Sequence, residues 1–421
     1  MKPLLIQNGR VLDPANRVDE VRDLLIMDGK IAAGPAPADA ERLDASGKYV
    51  VPGLIDIHVH LREPGRTDQE TIATGTLCAA RGGFTSVVCM PNTDPPADNT
   101  GTIALIRQRA ANAGVVNVFP AGAITRDLKG EELAPIGSLK RAGVVAITDD
   151  GHCVQNNELM RRAVQYGAMF DLVVMDHCQD YNLAAEGVMH EGYWSLALGL
   201  RGWPSVAEEL VVARNILLAE TTGGRIHCQH LSTARSVQLI REAKNRGVPI
   251  TAEVTPHHLT LTDECCKTYD TNFKINPPLR TEADRAALIE GLADGTIDCI
   301  CSDHAPHCDY EKEVEFDIAP FGIIGLETEL ALALALVHQK KLTLAQMVEK
   351  FTVNPARILR LNKGTLSVGA DADVTILDLE KEWTYDVQAS ASKSRNSPFH
   401  GWRFKGRAVT TIVGGRIVWR A

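Results

Sequence analysis

The sequence predicts an α/β fold, in which a (β/α)8 TIM-like barrel is joined to a small β domain that both chain termini form. Eight short β runs alternate with amphipathic helices through the middle of the 421-residue chain, and such alternation favours a parallel sheet. Eight units over this length fit a closed barrel. The alternative, a doubly wound open sheet, is disfavoured because no Gly-x-Gly-x-x-Gly motif follows an early strand.

The predicted barrel strands are short apolar runs bounded by glycine, proline or polar residues. Several follow a helix whose end is marked by glycine, as at Gly82-Gly83, Gly114, Gly143 and Gly247. The strands are predicted at residues 54–62, 84–90, 115–121, 144–148, 172–175, 225–230, 249–254 and 297–301. The helices between them are predicted at residues 70–81, 103–113, 139–142, 158–166, 207–220, 234–246 and 282–292.

The two ends of the chain differ from its middle. Short β runs with turn signals such as Asn8-Gly9 and Gly414-Gly415 occupy residues 3–12, 22–33, 372–379 and 408–419. We expect these runs to pair into one β domain with a structural role. The predicted domains are therefore a composite β domain, residues 1–52 and 364–421, and a barrel, residues 53–363.

The composition is that of an ordinary soluble globular protein, with 45% hydrophobic and 23% charged residues. The net charge is −9, and no cluster of Lys and Arg interleaves with aromatic residues, so nucleic acid is not an expected partner. No run is apolar and long enough to span a bilayer, and the first residues lack the pattern of a signal peptide. The ten cysteines have no disulfide spacing, so we expect buried thiols in a reduced, cytoplasmic setting.

The run from Leu54 to Arg62 carries the strongest sign of chemistry. Side chains on a strand alternate faces, so His58, His60 and Arg62 are predicted to share one face. Two imidazoles at this spacing on a rigid strand form half of a metal site. A chance pair of histidines on a polar strand face is the simpler alternative.

Polar residues recur where the other predicted strands end. The carboxyl ends of barrel strands meet at one face, and active sites lie there. Imidazole and carboxylate groups are ligands for Zn2+ and similar metals, and a further carboxylate can move a proton. The strand ends carry Asn92, Asp149-Asp150, His177, His230, His257-His258, Asp303-His304 and His307. The sequence therefore predicts metal-dependent chemistry at this face.

These residues resemble the amidohydrolase superfamily and, within it, the dihydroorotases of the long bacterial type. The resemblance extends over essentially the whole chain, and its motifs together are specific, whereas the His-x-His pair alone indicates only the superfamily. The motifs are His58-Val-His-Leu-Arg-Glu-Pro-Gly65, Met90-Pro-Asn92, Thr148-Asp-Asp-Gly151, Asn276-Pro-Pro-Leu-Arg280, Asp303-His-Ala-Pro-His307, Pro320-Phe-Gly-Ile323 and Ser367-Val-Gly-Ala-Asp-Ala-Asp373.

The resemblance implies a role for each matched position. It implies that Asp150 bridges two metals and that Asp303 serves as general base and then as acid. The implied ligands of one or two Zn2+ ions are His58, His60, Asp150, His177, His230 and Asp303. The implied substrate contacts are His60, Arg62, Asn92, Asn276, His307 and the backbone of Phe321 and Gly322.

The reaction that the resemblance implies is the reversible interconversion of L-dihydroorotate and N-carbamoyl-L-aspartate in de novo pyrimidine biosynthesis. A metal-bridging hydroxide would attack the ring amide, and Asp303 would pass the proton to the leaving nitrogen. The implied partners are the small-molecule substrate, further copies of this chain in a homo-oligomer, and aspartate carbamoyltransferase.

Two positions at the strand ends need separate interpretation. Asp149 and Asp150 face opposite ways on an extended chain, and the family pattern favours Asp150 as the ligand, with Asp149 as a cap or a support. The family usually reads His-Cys-Glu-Asp after the fifth strand, whereas this chain reads His177-Cys178-Gln179-Asp180. Since Gln179 lacks the charge of that glutamate, we expect weaker support of a metal ligand.

Two further functions remain as alternatives. One is a hydantoinase, dihydropyrimidinase or allantoinase, but those relatives usually bridge their metals with a carboxylated lysine. The other is a catalytically inactive, dihydroorotase-like scaffold for aspartate carbamoyltransferase, but such chains lose metal ligands that are all present here. The unassigned histidines are expected to be structural or supporting at 227, 257 and 258, and in packing or at the surface at 152, 190, 338 and 400.

Overall fold

The computed structural model describes residues 2–421, and its first part consists of short strands connected by turns. The strands are β1 (Leu4–Gln7), β2 (Arg10–Asp13), β3 (Val18–Val21), β4 (Leu24–Met27), β5 (Lys30–Ala32), β6 (Glu41–Asp44) and β7 (Tyr49–Pro52). The predicted runs at 3–12 and 22–33 correspond to β1, β2, β4 and β5. The prediction did not include β3, β6 and β7, which alternate less clearly between apolar and polar residues.

The middle of the chain forms a parallel barrel sheet of eight strands, counted over residues 2–421. In chain order these strands are β8 (Leu54–Val59), β9 (Phe84–Cys89), β10 (Asn117–Gly122), β11 (Ala146–Ile147) and β12 (Val173–Asp176). An inserted pair follows, β13 (Met189–His190) and β14 (Gly202–Trp203), and then β15 (Ile226–Cys228), β16 (Ile250–Val254) and β17 (Cys299–Ile300). The predicted barrel is confirmed, and the inserted pair was not predicted.

The barrel closes between β8 and the residues that follow β17. The backbone N–H of His60 donates to the carbonyl of His304 at 2.9 Å, and Val59 and His304 form a parallel bridge. The buried carboxylate of Asp56 accepts from the backbone N–H of Ser302 at 3.2 Å and from its hydroxyl. The side chain of Asp56 thus adds hydrogen bonds between β8 and the end of β17, where few backbone hydrogen bonds join the two strands.

The helices pack around the barrel and begin where the sequence offers capping residues. The hydroxyl of Thr71 accepts from the N–H of Thr74 at 3.1 Å at the start of α1, and Gly83, with φ 95°, ends that helix. The helices are α1 (Ile72–Gly82), α2 (Thr100–Ala113), α3 (Ile136–Ala142), α4 (Asn157–Met169), α5 (Tyr181–Ala184), α6 (Tyr193–Leu198), α7 (Val206–Thr222), α8 (Ala234–Asn245), α9 (Pro256–Thr260), α10 (Glu282–Ala293), α11 (Asp309–Lys312), α12 (Glu329–His338), α13 (Leu344–Phe351) and α14 (Val353–Leu359).

One end of the barrel is closed by apolar side chains. Ile55 and Ile57 of β8 pack there with Ile358 and Leu359 of α14 in one buried cluster. The guanidinium of Arg225, which precedes β15, donates to the carbonyl of Ile358 at 2.6 Å. Helix α14 therefore covers the ends at which the strands begin, and the opposite face carries the polar residues.

The last part of the chain returns to the first strands. It forms β18 (Val374–Thr384), β19 (Arg403–Val413) and β20 (Arg416–Arg420). These strands join β7, β2 and β3 in one sheet, in which Tyr49 pairs with Leu377, and a second sheet holds β5, β4, β1 and β6. The β domain formed from both termini is therefore confirmed, while its exact bounds, 1–52 and 364–421, and those of the barrel, 53–363, stay predictions.

The connecting segment, residues 385–402 between β18 and β19, leaves the sheet and lies against the barrel. The hydroxyl of Ser394 donates to the backbone carbonyl of Gln69 at 2.8 Å, and the hydroxyl of Ser392 bonds to the buried carboxylate of Glu70. Within residues 2–421, no helix is both apolar and long enough to cross a membrane.

Candidate active site

The histidines of β8 meet two carboxylates at the open face of the barrel. The Nε2 atom of His58 lies 3.2 Å from Oδ2 of Asp150, and the Nε2 atom of His60 lies 3.3 Å from the same oxygen. The Oδ1 atom of Asp303 lies 3.5 Å and 3.1 Å from these two nitrogens, respectively. The predicted shared face of His58 and His60 is therefore present, although β8 has a register irregularity between Asp56 and Val59.

The other oxygen of Asp150 faces a second pair of imidazoles. Its Oδ1 atom lies 3.4 Å from Nδ1 of His177 and 3.6 Å from Nε2 of His230. These two nitrogens are themselves 2.9 Å apart. One carboxylate thus lies between two groups of imidazoles, as expected for a residue that bridges two metal positions.

The cluster fits a metal on the evidence of its own atoms. His58 Nε2 and Asp150 Oδ1 are buried and have no partner with hydrogen-bond geometry in the described chain, residues 2–421. A buried polar atom without a partner is costly, and a cation removes that cost. Four groups have ligand atoms within 4.8 Å of one another, namely His58-His60-Asp150, Asp150-His177-His230, His58-His230-Asp303 and His58-Glu253-Cys301. They include every predicted metal ligand.

A buried carboxylate on β16 holds the inner histidine. Glu253 Oε1 lies 2.7 Å from Nδ1 of His58 and accepts from the backbone N–H of His230 at 3.3 Å. Its Oε2 atom lies 3.1 Å from Nε2 of His227. Glu253 thereby fixes the ring of His58 with Nε2 toward the cluster. The sequence prediction missed Glu253, and the available signal was a charged residue inside an apolar strand.

Amide groups hold two of the other imidazoles, those of His60 and His177, in the same way. Nδ1 of His60 lies 2.9 Å from Oδ1 of Asn92. Nε2 of His177 lies 2.9 Å from Oε1 of Gln179, and that oxygen also accepts from Nδ2 of Asn276 at 3.2 Å. The unusual glutamine therefore occupies the supporting position that the sequence suggested, with a neutral oxygen in place of a charged one.

The imidazoles keep the cluster's carboxylates ionised. Burial raises the pKa of Asp150, but His58, His177 and His230 outweigh burial and hold this pKa well below its usual range. Burial likewise opposes ionisation of Asp303, whereas His58 and His60 lower its pKa to about 2. An ionised carboxylate is the state that binds a cation or accepts a proton.

A cavity of about 490 Å³ opens above this cluster. The inner histidine, His58, lies beneath its floor, and the remaining predicted site residues line it. These are His60, Arg62, Asn92, Asp150, His177, His230, Asn276, Asp303, His307, Phe321 and Gly322. The fold therefore brings together all the residues to which the sequence analysis gave a ligand or substrate role.

One wall of the cavity carries a partly buried cation beside a neutral imidazole. Burial lowers the pKa of Arg62 to about 10, so its guanidinium is charged at neutral pH, and its Nε donates to the carbonyl of Pro306 at 3.2 Å. Burial and the charge of Arg62 lower the pKa of His307 to about 3. Nε2 of His307 donates to the carbonyl of Phe321 at 2.8 Å. This wall suits a small anion.

Three site residues have a backbone conformation that side chains rarely adopt. The φ angles of Arg62, His230 and Asp303 are 56°, 30° and 45°, in the left-handed region. Each lies just after a barrel strand, where the chain turns away. Such strain persists only where surrounding contacts impose it, and it is concentrated at functional sites.

The remaining predictions at the strand ends have mixed outcomes. Asp149 turns away from the cluster, and its Oδ1 accepts from the N–H groups of Ile124 and Thr125 at 2.8 and 2.9 Å. It is therefore a cap, one of the two predicted roles. His152 was expected at the surface or in packing, and its side chain is exposed, at the edge of the cavity. His190 is buried beside Arg280, with 3.1 Å between their nitrogens.

Comparison with known proteins agrees with this geometry. The Dihydro-orotase-like family profile matches residues 47–236, and the Amidohydrolase family profile matches residues 334–419. The chain is 59% identical to the dihydroorotase of Pelotomaculum thermopropionicum over 419 residues, which cover 99% of this chain and 98% of that relative. The chain belongs to the dihydroorotase family. The dihydroorotase of Syntrophotalea carbinolica is 54% identical over 99% of both chains.

Solved structures show how far the dihydroorotase family shares its fold. The L-hydantoinase (dihydropyrimidinase) from Arthrobacter aurescens superposes with a TM-score of 0.90 at 27% identity, covering 100% of this chain and 96% of that one. A D-hydantoinase structure gives a TM-score of 0.87 at 26% identity, covering 99% of this chain and 95% of that one. The predicted family, barrel fold and enzyme class are confirmed, and the dihydroorotases are the more similar relatives by sequence.

Proposed function

We propose that this protein interconverts L-dihydroorotate and N-carbamoyl-L-aspartate. The observation that carries the proposal is one cavity that joins a metal-fitting cluster to an anion-binding wall. A cyclic amide with a carboxylate substituent matches both parts. Hydantoins and allantoin lack a ring carboxylate, so the charge of Arg62 would have no counter-ion from the ligand in their complexes.

We propose zinc as the metal, with one or two ions in each subunit. His58, His60 and Asp303 would hold one ion, His177 and His230 the other, and Asp150 would contact both. The chemistry supplied by such an ion when bound is Lewis-acid activation of the amide carbonyl and of water. The nitrogen and oxygen donors present are those that zinc takes in catalytic sites.

Asp303 is the proposed proton carrier. Its carboxylate lines the cavity and is ionised, so it can accept a proton from the attacking water as the new C–O bond forms. The ring C–N bond then breaks, and Asp303 returns the proton to the leaving nitrogen. The product keeps the carboxylate of the substrate and gains a second one from the cleaved amide, while the released nitrogen becomes the terminal NH2 of the carbamoyl group. In biosynthesis the same steps run in reverse.

The substrate carboxylate is proposed to lie between Arg62, Asn92 and His307. Asn92 uses its carbonyl oxygen for His60, so its amide nitrogen can donate to the substrate. Asn276 and the backbone of Phe321 and Gly322 would then contact the ring.

The first experiment is turnover of L-dihydroorotate by the zinc-supplemented protein, with hydantoin, dihydrouracil and allantoin measured in parallel. We expect ring opening of dihydroorotate alone. Preferential turnover of a substrate without the carboxylate would instead favour a hydantoinase, and no turnover of any substrate would favour the inactive scaffold.

Replacing the proton carrier provides a second test. Asp303→Asn should reduce turnover of dihydroorotate by roughly 10²-fold to 10⁴-fold, because the amide cannot accept the proton. His338→Asn on the exposed end of α12 is the control and should retain full activity. Retained activity in Asp303→Asn would contradict the proposed role.

Family membership also motivates three proposals about location and assembly. We propose that the protein is cytoplasmic, that it forms a homo-oligomer, and that it associates with aspartate carbamoyltransferase. Sedimentation of the purified chain, alone and mixed with that enzyme, tests the assembly. A chain that stays monomeric both alone and in the mixture would contradict the proposed homo-oligomer and the proposed association.

A further inference from the structure

A single asparagine from the β domain lies beneath the anion-binding wall of the cavity. Asn396 belongs to the connecting segment and is only 3% exposed. Its Nδ2 donates to the carbonyl of Ala305 at 2.9 Å and to the carbonyl of Gly322 at 3.1 Å. Its Oδ1 accepts from the backbone N–H of His307 at 3.2 Å. One amide thereby joins two loops that are separate in the sequence.

Both loops carry proposed substrate contacts. His307 and Gly322 line the cavity directly, and Arg62 is held by the carbonyl of Pro306, between Ala305 and His307. Moving either loop would therefore change the geometry of the guanidinium, the imidazole and the backbone together. The backbone of Asn396 adds a further connection, since its carbonyl accepts from the N–H of Ile324 at 2.9 Å.

The connecting segment is fixed to the barrel on its other side as well. The backbone N–H of Lys393 donates to Glu70 at 3.3 Å, and the hydroxyl of Ser394 donates to the carbonyl of Gln69. The side-chain nitrogen of Gln69 lies 3.4 Å from Nδ1 of His307. These bonds give Asn396 a rigid base from which to hold the loops.

We propose that Asn396 is a positioning residue that sets the geometry of the carboxylate-binding end of the active site. This inference rests on the proposed function, because it assigns Arg62, His307 and Gly322 to the substrate. It also gives the β domain a functional role, whereas the sequence indicated only a structural one. Within the described residues, 2–421, the side chain of Asn396 has no hydrogen bond to a proposed metal ligand.

The expected signature is therefore a change in substrate binding rather than in metal binding. Asn396→Asp keeps the size and the acceptor for His307 but places a carboxylate oxygen against two carbonyl oxygens. Asn396→Ala removes all three side-chain bonds. Ser397→Ala is the matched control, since it removes one local bond, to the N–H of Phe399, in the same segment.

The experiment measures kcat and KM for L-dihydroorotate, bound zinc and the melting temperature for the four proteins. We expect both Asn396 variants to raise KM about tenfold or more, with zinc content unchanged and kcat within about threefold. Ser397→Ala should match the wild type. An unchanged KM in both Asn396 variants would overturn the inference, and so would parallel losses of zinc, kcat and melting temperature without a change in KM. Inactivity of the wild type toward dihydroorotate would instead refute the proposed function.

Discussion

At the scale of single residues, the support of His177 distinguishes this site from the usual family pattern. A neutral amide oxygen of Gln179 accepts from the imidazole, where a carboxylate would raise its basicity. The proposed second metal position, beside His177 and His230, is therefore expected to bind its ion more weakly than a site with glutamate there.

Gln179→Glu should strengthen metal binding. Restoring the charge beside Nε2 of His177 is expected to lower the dissociation constant for the weaker zinc ion by about tenfold. Titration with a competing chelator measures this change directly. Asn182→Asp on the exposed helix α5 adds the same charge away from the imidazole and should leave zinc affinity unchanged. Equal affinities in Gln179→Glu and the wild type would contradict this account.

The sequence predicted the site residues that follow barrel strands better than the residues that hold those site residues in place. His58, Asp150 and Asp303 were found because strand ends converge at one face of a barrel. Glu253 and Asn396 were missed, because their importance depends on neighbours that only the folded chain brings near. A buried charge in an apolar strand was a usable signal for Glu253, and Asn396 offered none.

At the scale of secondary structure elements, the junction between β8 and β17 depends on one buried carboxylate. Asp56→Ala would leave the N–H groups of Ser302 and His58 without their acceptor. We expect a loss of roughly 3 kcal/mol in the free energy of unfolding, because each buried unpaired donor costs about 1–3 kcal/mol. Urea unfolding measures this loss, and Asp39→Ala, at an exposed carboxylate, is the control. Similar stabilities in the two variants would contradict the proposed closure.

Helix α11 is joined to the cavity loop by a buried amine. Lys312 Nζ donates to the carbonyls of Pro320 at 2.9 Å and of Gly322 at 3.2 Å. Burial, with the charge of Lys274, lowers its pKa to about 7. In the unfolded chain, the amine of Lys312 stays protonated up to about pH 10.4. Between about pH 7 and pH 10.4, the unfolded chain therefore binds more protons than the folded protein.

The stability of this loop should therefore depend on pH with a defined sign. From pH 7 to pH 9, the wild type should gain about 1 kcal/mol per pH unit in free energy of unfolding relative to Lys312→Met. Urea unfolding at pH 7, 8 and 9 provides the values, and exposed Lys341→Met is the control. A difference between the wild type and Lys312→Met that stays constant with pH would show that the amine does not titrate there.

The alternation of strands and helices was predictable because most barrel units combine an apolar strand with a helix of three turns or more, and glycine marks several helix ends. The inserted pair of β13 and β14 was not, since Met189–His190 and Gly202–Trp203 are too short to show a period. Their pairing is decided by tertiary contacts rather than by local sequence.

At the scale of the whole molecule, the two ends of the chain depend on each other. A chain that stops after residue 363 lacks β18, the sheet partner of β7, as well as the connecting segment. We expect this truncated chain to lose cooperative thermal unfolding, measured by circular dichroism, because an exposed sheet edge and an uncovered apolar surface remain. A cooperative transition like that of the full chain would show that the barrel is independent.

The composite β domain was predictable in kind but not in detail. Turn signals marked β runs at both ends, yet nothing local shows that Tyr49 pairs with Leu377 or that residues 385–402 return to the barrel. Long-range pairing leaves little trace in a single sequence, because many partners satisfy the same alternation.

The position of Asn396 near the end of the chain also bears on synthesis. When the ribosome has made all the barrel strands, it has not yet made Asn396, whose side-chain amide joins Ala305, His307 and Gly322. Until β18 has been made, the edge of β7 that pairs with it stays exposed. A chaperone or a slow translation step would protect this edge from pairing with another chain. The carboxylate-binding end of the cavity would therefore be completed only after residues 374–396 have been made, and substrate affinity would be acquired late in synthesis.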